Sequence, residues 1–572
     1  MKSFDSLWEI LLKNKNRVAI YENQIEITYD QLMEKVYKYA IYLNKYSIKK
    51  DDIICILADH TAELISCVLG ILYAGGAYAI INPRISAEEI DYILKETNSK
   101  CFFVAKDAYD NCTNSNKVLM DSSEFEVTKK IDWIERHESQ LAYLVFTSGS
   151  SGKPKSIMTE DRHIISYILA YIEKFTISNS DKILQQSPVY YDGFAEEIFS
   201  MLFSGGAIVV EKKEILKFPR LIKRTIETNR ITIMPSTPMM LKAINELDGM
   251  HSIRVFISSG EVLKKSYIGN LAENAKVYNM YGPTETTVCA TYHEVNCRDE
   301  ENIPIGKPLT GYQLHIYKNN EMIHDSTVGE IFISGCGVAR GYLSQLNNCN
   351  NLFVIHNGVK MFRTGDYGYC DNLGNYWFVG RIDRQVKLRG NRVELGYVEE
   401  LLNSYLNGIT TVVVPVKINS TVIGLYAYYV GNEAIEVDIK NLCNSIMPDY
   451  MIPLKFDKIS EIPLIDTGKV DYKLLEDRII INLPIQCEPT DNVIERSVLE
   501  AFALVLDEGS FIDDITLNSK LSEMNFDSLK FIQVVVEIEE RFDIEFDDEY
   551  LNLELFNTVD DFYNYVNTKV VI

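Results

Sequence analysis

LVFTSGSSGKPK, residues 144–155, runs from an apolar stretch into a loop of small and hydroxyl-bearing residues and ends on two lysines. The apolar start reads as a buried strand. Thr147, Ser148, Gly149, Ser150, Ser151 and Gly152 then supply hydroxyls and closely approachable backbone amides, while Lys153 and Lys155 add positive charge. Such a loop can cradle phosphates. It is not a Walker A loop, because two residues separate Gly149 from Gly152 and Pro154 stands where the magnesium-binding Ser/Thr would be. The bland alternative is a plain Ser/Gly surface loop.

Similar punctuation recurs on both sides of this string. CILADH, GGAIVV, ITIMPS, IRVFISSG and EIFISGCG are short β-branched runs next to glycine-rich turns, and amphipathic segments separate them. Strands alternating with helices imply α/β layers with largely parallel sheets. At 572 residues the chain needs several cores. The charged stretch GRIDRQVKLRGNR, residues 380–392, marks a hinge, and a smaller α+β pattern follows it. INLPIQCEPTDN, residues 481–492, with two prolines and little periodicity, reads as a linker. VIERSVLEAFALVL, SLKFIQVVVEIEERF and DDFYNYVNTKV then show helical periodicity. The expected organisation is a large α/β core over 1–382, a smaller subdomain over 383–478, a linker over 479–490 and a small four-helix bundle over 491–572.

Composition narrows the function classes. Hydrophobic residues are 47% and charged residues 24%, which fits a soluble globular protein. The net charge of −24 argues against nucleic-acid or anionic-membrane partners. Residues 491–572 hold 20 Asp/Glu against 5 Lys/Arg, a balance of −15, so the last domain differs in kind from the rest. MKSFDSLWEILLKNKNRVAI reads as an amphipathic helix rather than a signal peptide, and Leu64–Ile81, cut by Gly70, Gly75 and Gly76, reads as buried core rather than a membrane span. A cytoplasmic location is expected. The 11 cysteines show no paired spacing and fit reduced thiols.

The loop at 144–155 resembles the phosphate loop of the adenylate-forming superfamily, which includes acyl-CoA synthetases, luciferases and the adenylation domains of nonribosomal peptide synthetases. Further strings similar to that family's signatures follow in its order: ITYDQL (27–32), LYAGGAYAIINP (72–83), NMYGPTETTVCAT (279–291), IPIGKPLTG (303–311), GEIFISGCGVARGYL (329–343), FRTGDYG (362–368), GRIDRQVKLRGNRVELGYVE (380–399), MPDYMIPLKF (447–456) and IPLIDTGKVDY (462–472). The resemblance spans nearly all of residues 1–478 and implies an ATP-using adenylation domain.

The resemblance implies roles residue by residue. Tyr281 is placed against the adenine face, Thr286 near the α-phosphate, and Glu285 as the carboxylate that holds Mg2+; a hard cation shares oxygen ligands with substrate phosphates, so one Glu suffices. Asp366 should accept hydrogen bonds from the ribose hydroxyls. Arg381 and Arg392 resemble nucleotide-facing arginines, the bland alternative being a solvated charged loop. Asp383 matches the hinge position. Lys469 matches the mobile lysine that stabilises negative charge gathering on the phosphoryl oxygens during carboxylate attack.

LSEMNFDSLKFIQVVVEIEERF resembles the carrier-protein motif, whose serine, here Ser528, bears 4′-phosphopantetheine taken from coenzyme A. Asn525 replaces the glycine usual two positions before the family's Asp or His, and asparagine tolerates the left-handed turn. The chain thus resembles an adenylation domain fused to a peptidyl carrier domain: an amino-acid adenylating ligase that loads its own carrier by thioester, as in natural-product and antibiotic biosynthesis. The implied partners are an amino acid, a phosphopantetheinyl transferase and a downstream condensation or tailoring enzyme in trans, with a small activator protein as a further candidate.

Asp192 in VYYDGFAEEIF resembles the aspartate that pairs with a substrate α-ammonium, which acyl-CoA synthetases do not need. Gly193, Glu196, Pro235, Ile257, Ser259, Met280, Val288 and Cys289 match the remaining pocket positions, and Lys469 closes the pocket. Glu196 stands out because a buried carboxylate wants a cation. It implies a basic side chain such as lysine, ornithine or diaminobutyrate, unless Glu196 turns away into a polar network beside Glu197. The competing classes are an acyl- or aryl-acid coenzyme A ligase and a non-catalytic carrier scaffold; Asp192 opposes the first, and Glu285, Asp366 and Lys469 oppose the second.

Overall fold

In the computed structural model the apolar run before the Ser/Gly loop is the strand Leu141–Thr147, and the strand Lys155–Glu160 returns antiparallel to it with Thr147 opposite Lys155. The structure describes residues 3–570 apart from 84, 110–111, 113, 115, 126–130, 148–153, 214, 248, 320, 324–325, 344–351, 382–383, 389–390, 406–409, 419–420, 431–442, 444–446, 460–461, 464–469, 483–497, 500, 503–515, 518, 522–527, 543, 545 and 547–552. Among the described residues, Leu141–Thr147 belongs to a seven-stranded sheet whose inner strands Ala77–Ile81 and Ile53–Leu57 run parallel and are buried on both faces. That burial explains why they read as unbroken apolar runs rather than alternating ones.

A nine-stranded sheet carries the other half of the core. Its strands Lys182–Gln185, Ile233–Ser236, Val255–Ser258 and Lys276–Tyr281 are neighbours and parallel. Helices pack between the sheets. In the expected core segment, the helix Ala62–Tyr73 is buried except at Glu63, and a Cβ on Gly70 would fall 2.3 Å from Tyr39 Cβ, so glycine is what lets it meet the helix Tyr29–Asn44 closely. Asp5–Lys13 is the expected amphipathic helix and buries Leu7, Trp8 and Leu11. Among the described residues no helix is long and apolar enough to cross a membrane.

A buried ion pair and a half-buried arginine bridging two carboxylates tie distant segments of the core together. Arg136 donates from Nε and Nη2 to the two Asp161 oxygens at 2.8 Å each, and its other donors reach the carbonyls of Leu72, Gly76 and Leu141. Arg340 joins Glu160 at 2.6 Å to Asp51 at 2.8 Å.

The chain divides into two units, Met1–Ile479 and Ile480–Ile572. Within the first, residues after the core form the hairpin Gln385–Leu388/Asn391–Glu394, the helix Leu395–Tyr405 and a mixed sheet of Thr410–Ile418, Thr421–Val430 and Lys455–Lys458. The helix Tyr472–Asn482 corrects the expected linker start at 479: YKLLEDRIIIN continues a helical apolar set, with Leu475 and Ile479 buried under Val412 and Val414, so residues 479–482 are helical. Asp383 lies outside the described residues. In the second unit, the helices Ser528–Phe542 and Val559–Val570 match the periodicity read from sequence and share a core containing Phe502, Phe531, Val534, Ile538, Phe546 and Phe562. Most of VIERSVLEAFALVL lies outside the described residues.

Candidate active site

Two loops leave the C-terminal ends of the parallel strands of the nine-stranded sheet and build the site between them. This is where open α/β sheets place ligands. The first follows Lys276–Tyr281. Gly282 must be glycine, because a Cβ there would lie 2.5 Å from the Cys289 Cα and 2.7 Å from the Ala290 nitrogen. The chain then forms a single 3₁₀ turn, Thr284–Thr286, and passes through left-handed backbone at Thr287 and Val288, both with φ 63°. A β-branched residue at positive φ is strained, and the strain sits beside the pocket.

That turn buries Glu285, which is 1% exposed. Tyr342 Oη donates to it at 2.8 Å, and Arg392 Nη1 bridges both its oxygens at 3.0 and 3.2 Å. Burial alone would raise its pKa, but the Arg392 charge and the Tyr342 hydroxyl hold the carboxyl below its usual range. Thr286 is fully buried and donates its hydroxyl to the Pro283 carbonyl at 2.9 Å.

Asp366 comes from the long strand Val359–Cys370, directly opposite Arg381 on Tyr376–Arg381. Arg381 Nη1 donates to its Oδ1 at 2.6 Å, and Tyr281 Oη donates to its Oδ2 at 2.5 Å. Burial and then the Asp366 charge keep the Tyr281 phenol protonated far above neutral pH. The Tyr–Asp–Arg chain thus joins a paired-strand couple, Asp366 and Arg381, to Tyr281, 85 residues before Asp366. Thr147 is buried at the end of its strand, while Ser148, Gly149, Ser150, Ser151, Gly152 and Lys153, like Lys469, lie outside the described residues.

The second loop, Gln186–Tyr191, leads into the helix Asp192–Ser204. Asp192 opens that helix, and its Oδ2 is buried with no hydrogen-bond partner. Burial raises its pKa; the Thr284 hydroxyl and the Val288 amide beside it oppose the rise. One turn on, Glu196 is 5% exposed and accepts a short hydrogen bond from Tyr167 Oη. Burial pushes Glu196 up to about 8 despite that bond, and the neighbouring Glu197 adds to the rise. Glu197 ties the loop to the helix: it accepts from the Ser187 amide and hydroxyl at 3.0 and 2.8 Å and from Gln185 Nε2 at 3.1 Å.

Pro235, Ile257 and Met280 lie on three adjacent strands, with Pro235 opposite Ile257; Ser259 follows the second of these strands, and Val288 and Cys289 follow the Glu285 turn. Gln186 Nε2 fixes the Pro235 carbonyl at 2.6 Å. The structure therefore gathers Asp192, Gly193, Glu196, Val288 and Cys289 next to the Glu285 turn. Sequence reading missed Tyr342, Thr284, Tyr167 and Lys387. Tyr342 lies inside GEIFISGCGVARGYL, yet no local spacing points its hydroxyl at Glu285.

The family model for AMP-binding enzymes matches residues 7–343, and that for a phosphopantetheine attachment site matches residues 496–566. Bacitracin synthase 2 of Bacillus licheniformis is 32% identical over 96% of this chain, and the chain spans 21% of that protein. Zwittermicin A synthase ZmaJ of Bacillus cereus is 30% identical over 82% of this chain and 93% of its own length. A solved nonribosomal peptide synthetase protein containing adenylation and carrier domains, bound to a vinylsulfonamide inhibitor, has TM-score 0.74 at 21% identity and covers 99% of this chain and 96% of its own. The Vibrio cholerae adenylation domain AlmE, solved with glycyl-adenosine-5′-phosphate, has TM-score 0.72 at 22% identity over 83% of this chain and 97% of its own. At those identities the two structures show the fold. With the matched model running through the phosphate-loop strand and the Glu285 turn to Leu343, the chain belongs to the AMP-binding enzyme family and carries a phosphopantetheine attachment domain behind it.

Proposed function

We propose that the chain activates an amino acid with ATP as an aminoacyl adenylate and transfers it to a thiol carried on Ser528, as a thioester, in nonribosomal peptide or related natural-product biosynthesis. The observation that carries this reading is the unpartnered, buried Oδ2 of Asp192, whose neighbours Thr284 and Val288 flank the Glu285 turn. A buried acceptor without a donor is costly, and a substrate α-ammonium would satisfy it. A simple acyl or aryl acid would leave it orphaned.

In the first half-reaction the substrate carboxylate oxygen bonds to the α-phosphorus of ATP while the bond to pyrophosphate breaks. Tyr281, Asp366 and Arg381 orient the nucleoside, and Asp192 holds the amine so that the carboxylate faces the phosphate. Lys469 is the candidate for stabilising the charge that develops on the phosphoryl oxygens. Glu285 fits Mg2+: it is a buried carboxylate held ionised, and the described residues offer no cluster of three metal-ligating side chains, which suits an ion bound mainly through phosphate oxygens. When bound, the ion would neutralise phosphate charge. Ser528 opens the helix Ser528–Phe542 and would bear the phosphopantetheine arm, which supplies the accepting thiol.

Glu196 supports a basic substrate side chain, because an incoming ammonium group could take its proton's place and leave a matched pair. The Tyr167 bond supports the alternative, in which Glu196 is already satisfied within a polar network beside Glu197 and the substrate side chain is uncharged. The test treats the full chain with a phosphopantetheinyl transferase and coenzyme A, then with ATP and single amino acids, and reads intact mass. A pantetheine increment on Ser528 followed by an aminoacyl increment is expected. Loading by aryl acids and by no amino acid would overturn the proposal.

A further inference from the structure

Glu196 is approached by a helix that carries none of the strings read above as pocket. Asp161–Phe175 packs along Asp192–Ser204, and Tyr167, Tyr171 and Phe175 recur every fourth residue on one face of it. Their rings form a column, with centroids 5.9 and 4.7 Å apart, that ends 4.9 Å from the Tyr278 ring on the strand Lys276–Tyr281. Rings stacked in this way deliver their hydroxyls to fixed places. Tyr167 is fully buried, and its hydroxyl donates to Oε2 of Glu196. Burial and then the Glu196 charge keep the phenols of Tyr167 and Tyr171 protonated far above neutral pH, so both stand at this carboxyl as donors.

The groups around Glu196 leave one kind of partner missing. Besides burial, those that act on it most are Tyr167, Glu197, Asp192 and Tyr171; Cys289 and Tyr143 also face it, and none of the six carries a positive charge. Hydroxyl donors suit an ionised carboxylate, which only accepts and offers about four lone-pair sites. Tyr167 takes one oxygen and does not use up the carboxyl. A carboxylate buried beside two other acids lacks only a cation, and the pocket it lines can receive one with the substrate.

From this, and resting on the amino-acid reading above, we infer that Tyr167 is a specificity-determining residue: it holds Oε2 of Glu196 and leaves Oε1 to accept from a cationic substrate side chain. Its hydroxyl favours the ionised carboxylate, because a hydrogen bond to a charged acceptor is roughly twice as strong as one to a neutral acceptor. Burial pushes Glu196 up to about 8, and the Tyr167 bond opposes that rise. A substrate ammonium needs the ionised form, whereas a methyl group in its place does not. Removing the hydroxyl therefore penalises the cation selectively, and the pocket selects substrate charge together with a residue that lies in none of its strings.

The test compares isosteres that differ only in charge. ATP–pyrophosphate exchange by the full chain is measured with diaminobutyrate and norvaline, ornithine and norleucine, and lysine and 2-aminoheptanoate, and the ratio of kcat/KM, cation over neutral, is taken for each pair. In the wild type at least one ratio should exceed about tenfold, and Tyr167→Phe should lower that ratio about tenfold. Glu196→Gln should bring it near one, and on that background Tyr167→Phe should change it less than about twofold, since the hydroxyl acts through the carboxylate. The KM for ATP serves as the fold control; if Tyr167→Phe loses it, Tyr167→Met, which removes the hydroxyl with a different shape, carries the same expectation. A wild type that favours the neutral member of every pair overturns the inference. So does a ratio that Tyr167→Phe leaves unchanged, as for a purely structural ring, or raises, as for a hydroxyl standing in for the substrate cation. Absence of exchange with every amino acid would overturn the amino-acid reading too, whereas exchange with an unmoved ratio overturns the role of Tyr167 alone.

Discussion

Replacing Glu196 by Gln should make the protein more stable at neutral and alkaline pH and remove part of its pH dependence. The side chain is 5% exposed, and burial carries its pKa from 4.5 to about 8. A carboxyl raised on folding binds its proton more tightly in the native state. Its contribution is therefore intact below pH 4.5 and is lost as pH rises toward 8. At about 1.4 kcal/mol per pKa unit the ceiling is roughly 5 kcal/mol, and relaxation around the adjacent Glu197 should leave about 1–3 kcal/mol. Glutamine keeps the volume and the oxygen that accepts from Tyr167, so packing is preserved. It also removes a charge beside Glu197, whose carboxyl burial pushes up to about 7. The assay is thermal unfolding of wild type and Glu196→Gln at half-unit steps from pH 5 to 9. The midpoints should be closest near pH 5, diverge up to about pH 8 and run parallel beyond it, with the variant higher. Parallel curves across the whole range would refute the reasoning.

Asp192→Asn should lower kcat/KM for the preferred amino acid in ATP–pyrophosphate exchange by about 100-fold, the cost of leaving the α-ammonium without its charge partner, with little change in the KM for ATP. Asp366→Ala should act the other way, raising the KM for ATP at least about tenfold, because Tyr281 and Arg381 both lose their shared acceptor. Gly282→Ala should cost about 2–3 kcal/mol and be seen as lowered unfolding midpoints, since its Cβ meets backbone rather than a flexible side chain. Lys469→Ala should cut pyrophosphate exchange by more than about 100-fold while nucleotide uptake by equilibrium dialysis stays within tenfold.

What the sequence made legible was local. The inner strands of both sheets, the helix Asp192–Ser204 and the helix Ser528–Phe542 are written as apolar periodicity with turn residues at their ends. Gly282 and Asp366 were legible as parts of strings, because close backbone approach and a strand-borne carboxylate each demand one residue type. Pairings across long separations were not. Tyr281 and Asp366 are 85 residues apart, and Glu285 and Arg392 are 107 apart, so no window holds both members. Glu196 shows the limit most sharply. Its helical spacing from Asp192 is visible in the string DGFAE, but whether it meets a substrate cation or a tyrosine depends on where the helix Asp161–Phe175 brings Tyr167. That helix carries no pocket signature. Its tyrosine donates a buried hydrogen bond to Glu196 that opposes the rise burial imposes, so the charge Glu196 presents depends in part on a residue outside every motif. The same holds at the Glu285 turn, where Arg392 resembles a nucleotide-facing arginine in sequence and only the tertiary fold reveals the carboxylate it holds.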